Sequence, residues 1–433
     1  MIFEKFINRD LGHVSYIVGC DNSGEAFIVD PRRDINEYVE FIEKNSLNLK
    51  YVFNTHTHAD YIGGHIELSS KYSVDNIFQN SAPIENFDIT KVKENDEFCI
   101  GSTLKVKIIE TAGHTPFDIC LLLEENNIEK ILFSGDSLFV GDIGRPDLLG
   151  EENLFGLASS GYESSKKLWS LSDDIMLFTS HIEGSLCGKN LSSQYFSTIG
   201  IEKQTNYSFK LSQELTEKYI DNITSLQIET PAFFKKMAGI NIAGPKLVEN
   251  ILSDIKKVQF DETKDNENIQ IINLREPKLF HKNHITNSIN ICENSNVSLI
   301  AGNILDYEKD IYLIGGLDSK SDEFITKLLR VGLDNIKGIV NSDFSLIESK
   351  YLITSNIVSE DEIDDSFTNI LLDKDCSNLG NVVQSNLSKV GDIDLSSYDK
   401  VIFSCNYGYK SSAIFSIMAR KNVFFEYIEN DRM

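Results

Sequence analysis

The chain has 433 residues, 41% hydrophobic and 25% charged, with a net charge of −25 from 41 basic and 66 acidic side chains. That length allows roughly two to four domains, and the acidity argues against nonspecific binding to nucleic acid or to an anionic membrane. No apolar run approaches the ~20 residues of a membrane span, and the charged start MIFEKFINRD lacks the apolar stretch of a signal peptide, so a cytoplasmic location is expected.

Residues 14–30 read as two strands around an Asn22-Ser23-Gly24 turn. Ile35 to Asn45 has helical spacing. Tyr51 to Asn54 is a strand that runs into His56-Thr57-His58-Ala59-Asp60-Tyr61. Leu104 to Glu110 is another, ending in Thr111-Ala112-Gly113-His114-Thr115-Pro116. A strand over Ile119 to Leu123 follows, then Ile131 to Phe133 ending in Ser134-Gly135-Asp136, and Met176 to Thr179 ending in Ser180-His181. Four strands thus end in turns that carry His or Asp. Such loops on a rigid scaffold are where sites are built, so His56, His58, Asp60, His114, Asp136 and His181 are expected to converge on metal.

Beyond about residue 240 the character changes. Asn241 to Glu267 combines a helix with the polar run DETKDNENI, which reads as a linker. Two strand–helix units follow and form an internal repeat. IYLIGGLDSKSDEFITKLLR (Ile311 to Arg330) aligns with VIFSCNYGYKSSAIFSIMAR (Val401 to Arg420) at an offset of 90 without a gap. Gly315 falls on Cys405, Lys320 on Lys410, Ser321 on Ser411 and Arg330 on Arg420. A strand–loop–helix unit used twice implies two α/β domains with mainly parallel sheets. The seven cysteines, odd in number and without a CxxC pair, form no disulfide framework.

The motifs THTHAD, GHTP and SGDSLF with the late His181 resemble the metallo-β-lactamase fold, an αββα sandwich. His13-Val14-Ser15-Tyr16, Asp30-Pro31-Arg32-Arg33-Asp34 and the run Gly135 to Leu148 are similar to the persulfide dioxygenase branch of that fold. The resemblance covers residues 1–245 and implies one mononuclear non-haem Fe(II) held by His56, His114 and Asp136. Two imidazoles and a carboxylate are the facial triad of Fe(II) oxygenases. His58, Asp60 and His181 then support the ligands. Hydrolases of the glyoxalase II type share the fold and hold two metals, with a further His directly after the Asp. Here that residue is Tyr61, and a phenol replaces imidazole poorly in a zinc site. Arg145, nine residues past Asp136, is expected to hold an anionic part of the substrate, and Cys187 in GSLCG to contact substrate.

Cys405-Asn406-Tyr407-Gly408-Tyr409-Lys410-Ser411 resembles the rhodanese active-site loop, with Cys405 as the sulfur-carrying nucleophile. Gly408 and Lys410 are expected to face the bound anion. Rhodaneses often have Arg where Lys410 stands, and Lys keeps the charge but loses the planar fork. Residues 356–433 are therefore read as a rhodanese domain, and residues 255–350, with Gly315 at the nucleophile position, as an inactive rhodanese-like domain. The whole resemblance implies oxidation of a low-molecular-weight thiol persulfide by O2 to sulfite, with Cys405 converting sulfite to thiosulfate, in a homo-oligomer. A zinc thioester hydrolase and a non-enzymatic sulfur carrier are the alternatives.

Overall fold

Alternating apolar side chains build the first part of the chain into two facing six-stranded sheets. The computed structural model describes all residues except 80, 226–229, 264–265, 316–320, 342, 356, 360–361, 374–380, 390–391, 419–422 and 428–433. It divides into two units, Met1–Val248 and Glu249–Met433.

In the first unit, one sheet runs in order through β1 (Ile2–Asn8), β2 (His13–Gly19), β3 (Glu25–Val29), β4 (Asn48–Phe53), β5 (Asp75–Gln79) and β6 (Thr90–Val92). The other holds β7 (Glu97–Ile100), β8 (Leu104–Glu110), β9 (Ile119–Glu125), β10 (Ile128–Phe133), β11 (Met176–Phe178) and β12 (Phe196–Thr198) in reverse order. Strand period decides the layering. Val14, Tyr16 and Val18 of β2 meet Val106 and Ile108 of β8 between the sheets. Ile17, between them in sequence, faces outward onto Tyr38 and Ile42 of the helix Asn36–Lys44. On the far side, Ile109, Cys120 and Leu132 pack on Ala158, Tyr162 and Leu168 of the helix Glu151–Trp169. The result is helix, sheet, sheet, helix.

β3 to β6 run parallel, and β10 is parallel to β11. The parallel runs bring the ends of β3 and β4, and of β10 and β11, to one edge. The turns after β3, β4, β8, β10 and β11 carry Asp30, His56 to Asp60, His114, Asp136 and His181. The helix Phe234–Ala243 also belongs to this unit. Asn241, where the sequence was read as leading into a linker, is 4% exposed here.

The second unit contains two five-stranded sheets of the same topology. One is ordered β13 (Lys256–Val258), β18 (Ile336–Val340), β17 (Asp310–Ile314), β14 (Ile269–Asn273), β16 (Ile289–Asn290). The other is ordered β20 (Ile357–Ser359), β24 (Val423–Tyr427), β23 (Lys400–Ser404), β21 (Phe367–Leu371), β22 (Asn381–Gln384). Every pairing in both is parallel. β15 (His284–Ile285) and β19 (Leu352–Ile353) form a short antiparallel ribbon. β13 lies inside the tract read as a linker and supplies an edge strand. Gly315 and Cys405 follow β17 and β23, the central strands of the two sheets, so the repeat alignment matches in three dimensions. Lys320 and Arg420 lie outside the described residues.

Candidate metal centre

Three buried lone pairs converge at the sheet edge. Asp136 Oδ2 lies 3.4 Å from His114 Nε2 and 3.9 Å from His56 Nε2. The three residues are at most 3% exposed. Their protonation follows from their partners. His114 Nδ1 is 2.9 Å from the Arg145 carbonyl oxygen, which can only accept, so Nδ1 carries the proton. His56 Nδ1 is 3.0 Å from Thr55 Oγ1, and that hydroxyl gives its one proton to Asp30 Oδ2 at 2.7 Å. Thr55 must therefore accept from His56 Nδ1. Both Nε2 atoms are left as acceptors facing a carboxylate oxygen. Among the described residues, neither His56 Nε2 nor Asp136 Oδ2 has a hydrogen-bond partner. Buried acceptors without a donor are costly, and a cation is what satisfies all three. The donor set fits one metal ion, with the outer nitrogen of each imidazole fixed by a hydrogen bond, as metal-ligating His requires.

The carboxylate is aimed by His181. Its Nδ1 lies 2.7 Å from Asp136 Oδ1 and its Nε2 lies 2.7 Å from Asp60 Oδ2. Burial alone would lower the His181 pKa, but Asp136 and Asp60 raise it well above the usual imidazole range. His181, His56 and His114 in turn hold Asp136 below the usual carboxylate range against the opposing effect of burial. Asp60, His181 and Cys187 offer a second trio of ligand atoms within 4.8 Å of one another. Cys187 is 1% exposed, and burial, with Asp60 and Asp136 nearby, pushes its thiol well above its ordinary pKa. His58 stacks between His56 and Tyr61, with ring centroids at 4.1 and 4.5 Å, and its Nε2 lies 3.2 Å from Asp30 Oδ1. The Tyr61 ring is fully buried against His13 at 4.2 Å, and its hydroxyl donates to the Asp30 carbonyl at 3.3 Å.

Arg145 differs from its sequence expectation. It is 1% exposed, and its guanidinium forks onto both oxygens of Asp147 and also reaches the Leu186 carbonyl and Thr230 Oγ1. With those partners the guanidinium does not present a free fork to an anion; its carbonyl orients His114 instead.

Three residues that sequence reasoning missed hold the ligand loops. Asp30 accepts from Thr55 N and Thr55 Oγ1, each at 2.7 Å, and from Ser180 Oγ at 2.6 Å. Its φ of 48° is left-handed, a conformation that Asp tolerates better than most residues. Asp118 accepts from His114 N at 2.9 Å and Thr115 N at 2.8 Å, and burial raises its pKa to about 6. Asn241 donates to the carbonyls of His58 and Tyr61 and accepts from Gly63 N. The sequence signals for Asp30 were its place at a strand end and in the Asp30-Pro31-Arg32-Arg33-Asp34 run, neither of which assigned it a role at the ligands. Gly113, beside His114, approaches Gly161 of the helix Glu151–Trp169 so closely that a Cβ on Gly113 would stand 2.7 Å from Gly161 Cα.

The Cys405 loop lies in the second unit. Cys405 Sγ accepts from Ser411 N at 3.3 Å and donates to Ser411 Oγ at 3.5 Å, while the Ser411 hydroxyl donates to the Gly408 carbonyl at 3.1 Å; Cys405 is 4% exposed. Gly408 has a φ of 75° and no atom near its absent Cβ. The Lys410 ammonium is paired with Asp373, which also accepts from Asn406 N at 3.1 Å. Lys410 therefore meets a carboxylate of its own chain, where the sequence expectation was an anionic ligand. At Gly315 a Cβ would stand 2.8 Å from Arg275 Cγ, so Arg275 fills the place of the missing thiol.

Residues 8–181 match the family model of the metallo-beta-lactamase superfamily. The chain is 32% identical over 166 residues to a hydroxyacylglutathione hydrolase of Prochlorococcus marinus strain MIT 9211, covering 37% of this chain and 61% of that protein. It is 29% identical over 217 residues to a hydroxyacylglutathione hydrolase of Dictyostelium discoideum, covering 49% of this chain and 75% of that protein. The chain spans about 60% of the length of the first of these relatives. Among solved structures, a metallo-beta-lactamase from Staphylococcus aureus subsp. aureus COL is 32% identical with a TM-score of 0.69, covering 78% of this chain and 98% of that one. That likeness reaches past the 248 residues of the first unit into the second.

Proposed function

The chain belongs to the metallo-beta-lactamase superfamily, and from that premise we propose that it is an Fe(II)-dependent persulfide dioxygenase coupled to a sulfurtransferase. The observation that carries the reading is the trio of acceptors, His56 Nε2, His114 Nε2 and Asp136 Oδ2, with both imidazoles locked as Nδ1–H tautomers. Two imidazoles and a carboxylate leave coordination positions open, the arrangement of non-haem Fe(II) oxygenases. When bound, Fe(II) supplies the redox chemistry that lets O2 react with a sulfane sulfur.

The chain's own groups do the rest. His181 keeps Asp136 turned so that one oxygen is free for the metal. Asp30 keeps Thr55 and Ser180, and with them the loops of His56 and His181, at fixed spacing. The net reaction consumes RSSH, O2 and water and gives RSH and sulfurous acid, which ionises to sulfite. At the second site the Cys405 thiolate attacks the sulfane sulfur of another RSSH, forms a Cys405 persulfide and releases RSH. Sulfite then takes that outer sulfur, giving thiosulfate and restoring the thiolate. Joining both sites in one chain raises the local concentration of sulfite near its acceptor.

A second reading has a specific observation behind it. The curated relatives are hydroxyacylglutathione hydrolases, and Asp60, His181 and Cys187 offer a second ligand trio. A two-zinc thioester hydrolase would use both trios. Tyr61 weighs against it, because its ring is packed on His13 and its hydroxyl is bonded to backbone. The deciding experiment measures metal content and turnover on one anaerobically prepared sample. One iron per chain with O2 uptake on a glutathione, coenzyme A, bacillithiol or cysteine persulfide supports the dioxygenase. Two zinc ions per chain with hydrolysis of an acylglutathione thioester and no O2 uptake overturns it.

A further inference from the structure

Within the second unit, the helix Tyr409–Met418 that follows Cys405 is gripped by side chains of the repeat that carries Gly315 at the nucleophile position. Ser412, one turn into that helix, is fully buried. Its hydroxyl donates to Asn290 Oδ1. That assignment is forced, because Asn290 Nδ2 donates to the carbonyls of Asn273 at 3.0 Å and Arg275 at 2.9 Å. With its proton spent on Asn290, Ser412 Oγ accepts from His281 Nε2 at 2.8 Å. His281 Nδ1 then accepts from Ser355 Oγ at 2.7 Å, so the imidazole is neutral with its proton on Nε2. One turn on, Asn290 N donates to Ser416 Oγ at 3.1 Å, and the Phe415 ring meets His281 edge-on at 5.0 Å. Ser412, Phe415 and Ser416 share one helix face, as spacings of three and four require.

The grip lies next to the thiol's own partners. Ser411, the neighbour of Ser412, donates its N–H to Cys405 Sγ at 3.3 Å and its hydroxyl to the Gly408 carbonyl at 3.1 Å. Ser412 N closes the loop onto the same carbonyl at 3.0 Å. The carbonyls that anchor Asn290 belong to Asn273 and Arg275, the two residues that crowd the vacated Gly315 position. The repeat that lost its cysteine is thus built to hold the helix of the repeat that kept one.

We propose that His281 and Asn290 are positioning residues for Cys405, acting through Ser412 to set the helix start that aims the Ser411 N–H at the sulfur. The proposal rests on the reading of Cys405 as the sulfur-carrying nucleophile. Hydrogen bonds to the thiolate favour it over the thiol, so loosening the grip makes Cys405 a weaker nucleophile at neutral pH.

The test uses full-length protein and iodoacetamide, with modification at Cys405 followed by peptide mass spectrometry from about pH 5 to about pH 10. Exposed Cys99 in the other unit serves as an internal control. Asn290→Ala and His281→Ala are expected to slow Cys405 alkylation about tenfold at neutral pH and to move its pH midpoint up by about one unit, with Cys99 unchanged. Ser412→Ala removes a single hydroxyl and keeps the experiment informative if the larger changes unfold the unit; the same upward shift is expected. His281→Gln, which can still donate to Ser412, is expected to recover most of the rate. Variants that melt like the parent and keep its Cys405 rate and midpoint within about twofold overturn the proposal. A parent Cys405 that alkylates no faster than Cys99 removes the nucleophile reading, and the proposal with it.

Discussion

Asp30 Oδ2 accepts a hydrogen bond from Ser180 Oγ at 2.6 Å, joining two residues 150 positions apart in the chain. The same carboxylate holds Thr55, the residue before His56. One buried side chain therefore sets the spacing between the first ligand loop and the loop that orients Asp136.

Asp30→Asn keeps the shape and the tolerance for positive φ but can no longer accept at all the donors it faces. Metal affinity is expected to fall about 10- to 100-fold, the usual range for loss of a group that orients a metal ligand. Competition with a chelator, read as metal retained per chain, checks it. Unchanged retention would remove Asp30 from the site.

Arg145→Gln separates a substrate contact from a structural clamp. The fork onto Asp147 and the Leu186 carbonyl makes the residue structural. Loss of about 2–4 kcal/mol of stability is expected, somewhat below the cost of breaking a fully buried pair because Asp147 is 28% exposed. KM is expected to change alike for anionic and neutral persulfides. A rise in KM confined to anionic carriers would restore the substrate role.

Gly315→Cys in a Cys405→Ser background is expected to give no sulfur transfer. The new Cβ would meet Arg275 Cγ at 2.8 Å, and the backbone φ of 78° is unfavourable for a side chain. The cost of that conformation is about 1–3 kcal/mol. Thiosulfate formation and thermal unfolding, measured together, check both parts.

Acid should weaken the second unit through His281 and His284. Burial lowers their pKa values to about 3 and about 4. Both folded values lie below the unfolded value near 6.5, so the unfolded chain takes up protons first as pH falls. The stability they support is complete above about pH 6.5 and is lost between there and about pH 4. By pH 5 each contributes a loss of about 2 kcal/mol. Urea unfolding of full-length protein at several pH values reads this, and His281→Asn should flatten the profile.

Legibility in the sequence followed the chemistry. Loops that must present several ligands crowd unusual residues together, so THTHAD, GHTP and SGD stood out, and ligand atoms of His56, His114 and Asp136 lie within 4.8 Å of one another. Of the strands between them, Leu104–Glu110 was readable by its alternation and Ile119–Glu125 and Ile128–Phe133 by short apolar runs. The roles of Asp30 and Asn241 were not readable because their partners lie far along the chain, and that of Asp118 because an Asp in a turn that caps its own loop is an ordinary feature. Asn241 stands at the end of the helix Phe234–Ala243, at the start of a tract whose later polar run was read as a linker, so nothing local marked it as a contact of the first unit. At Arg145 the sequence showed a cation, whereas its pairing with Asp147 two residues on is visible only in three dimensions. The repeat was legible because its alignment has no gap, whereas the filling of the Gly315 position by Arg275 depends on a side chain forty residues earlier.

Gly113 and Gly161 meet backbone to backbone, with no side chain between the loop of His114 and the helix Glu151–Trp169. A contact of that kind has no compliance, since there is no rotamer to turn and no methyl to compress. Any displacement of the helix toward the loop is passed on undiminished to the loop that carries the ligand. The helix is also the unit's outer wall, with Phe155 66% exposed on it. The close approach makes the position of that helix part of what sets the position of the His114 loop.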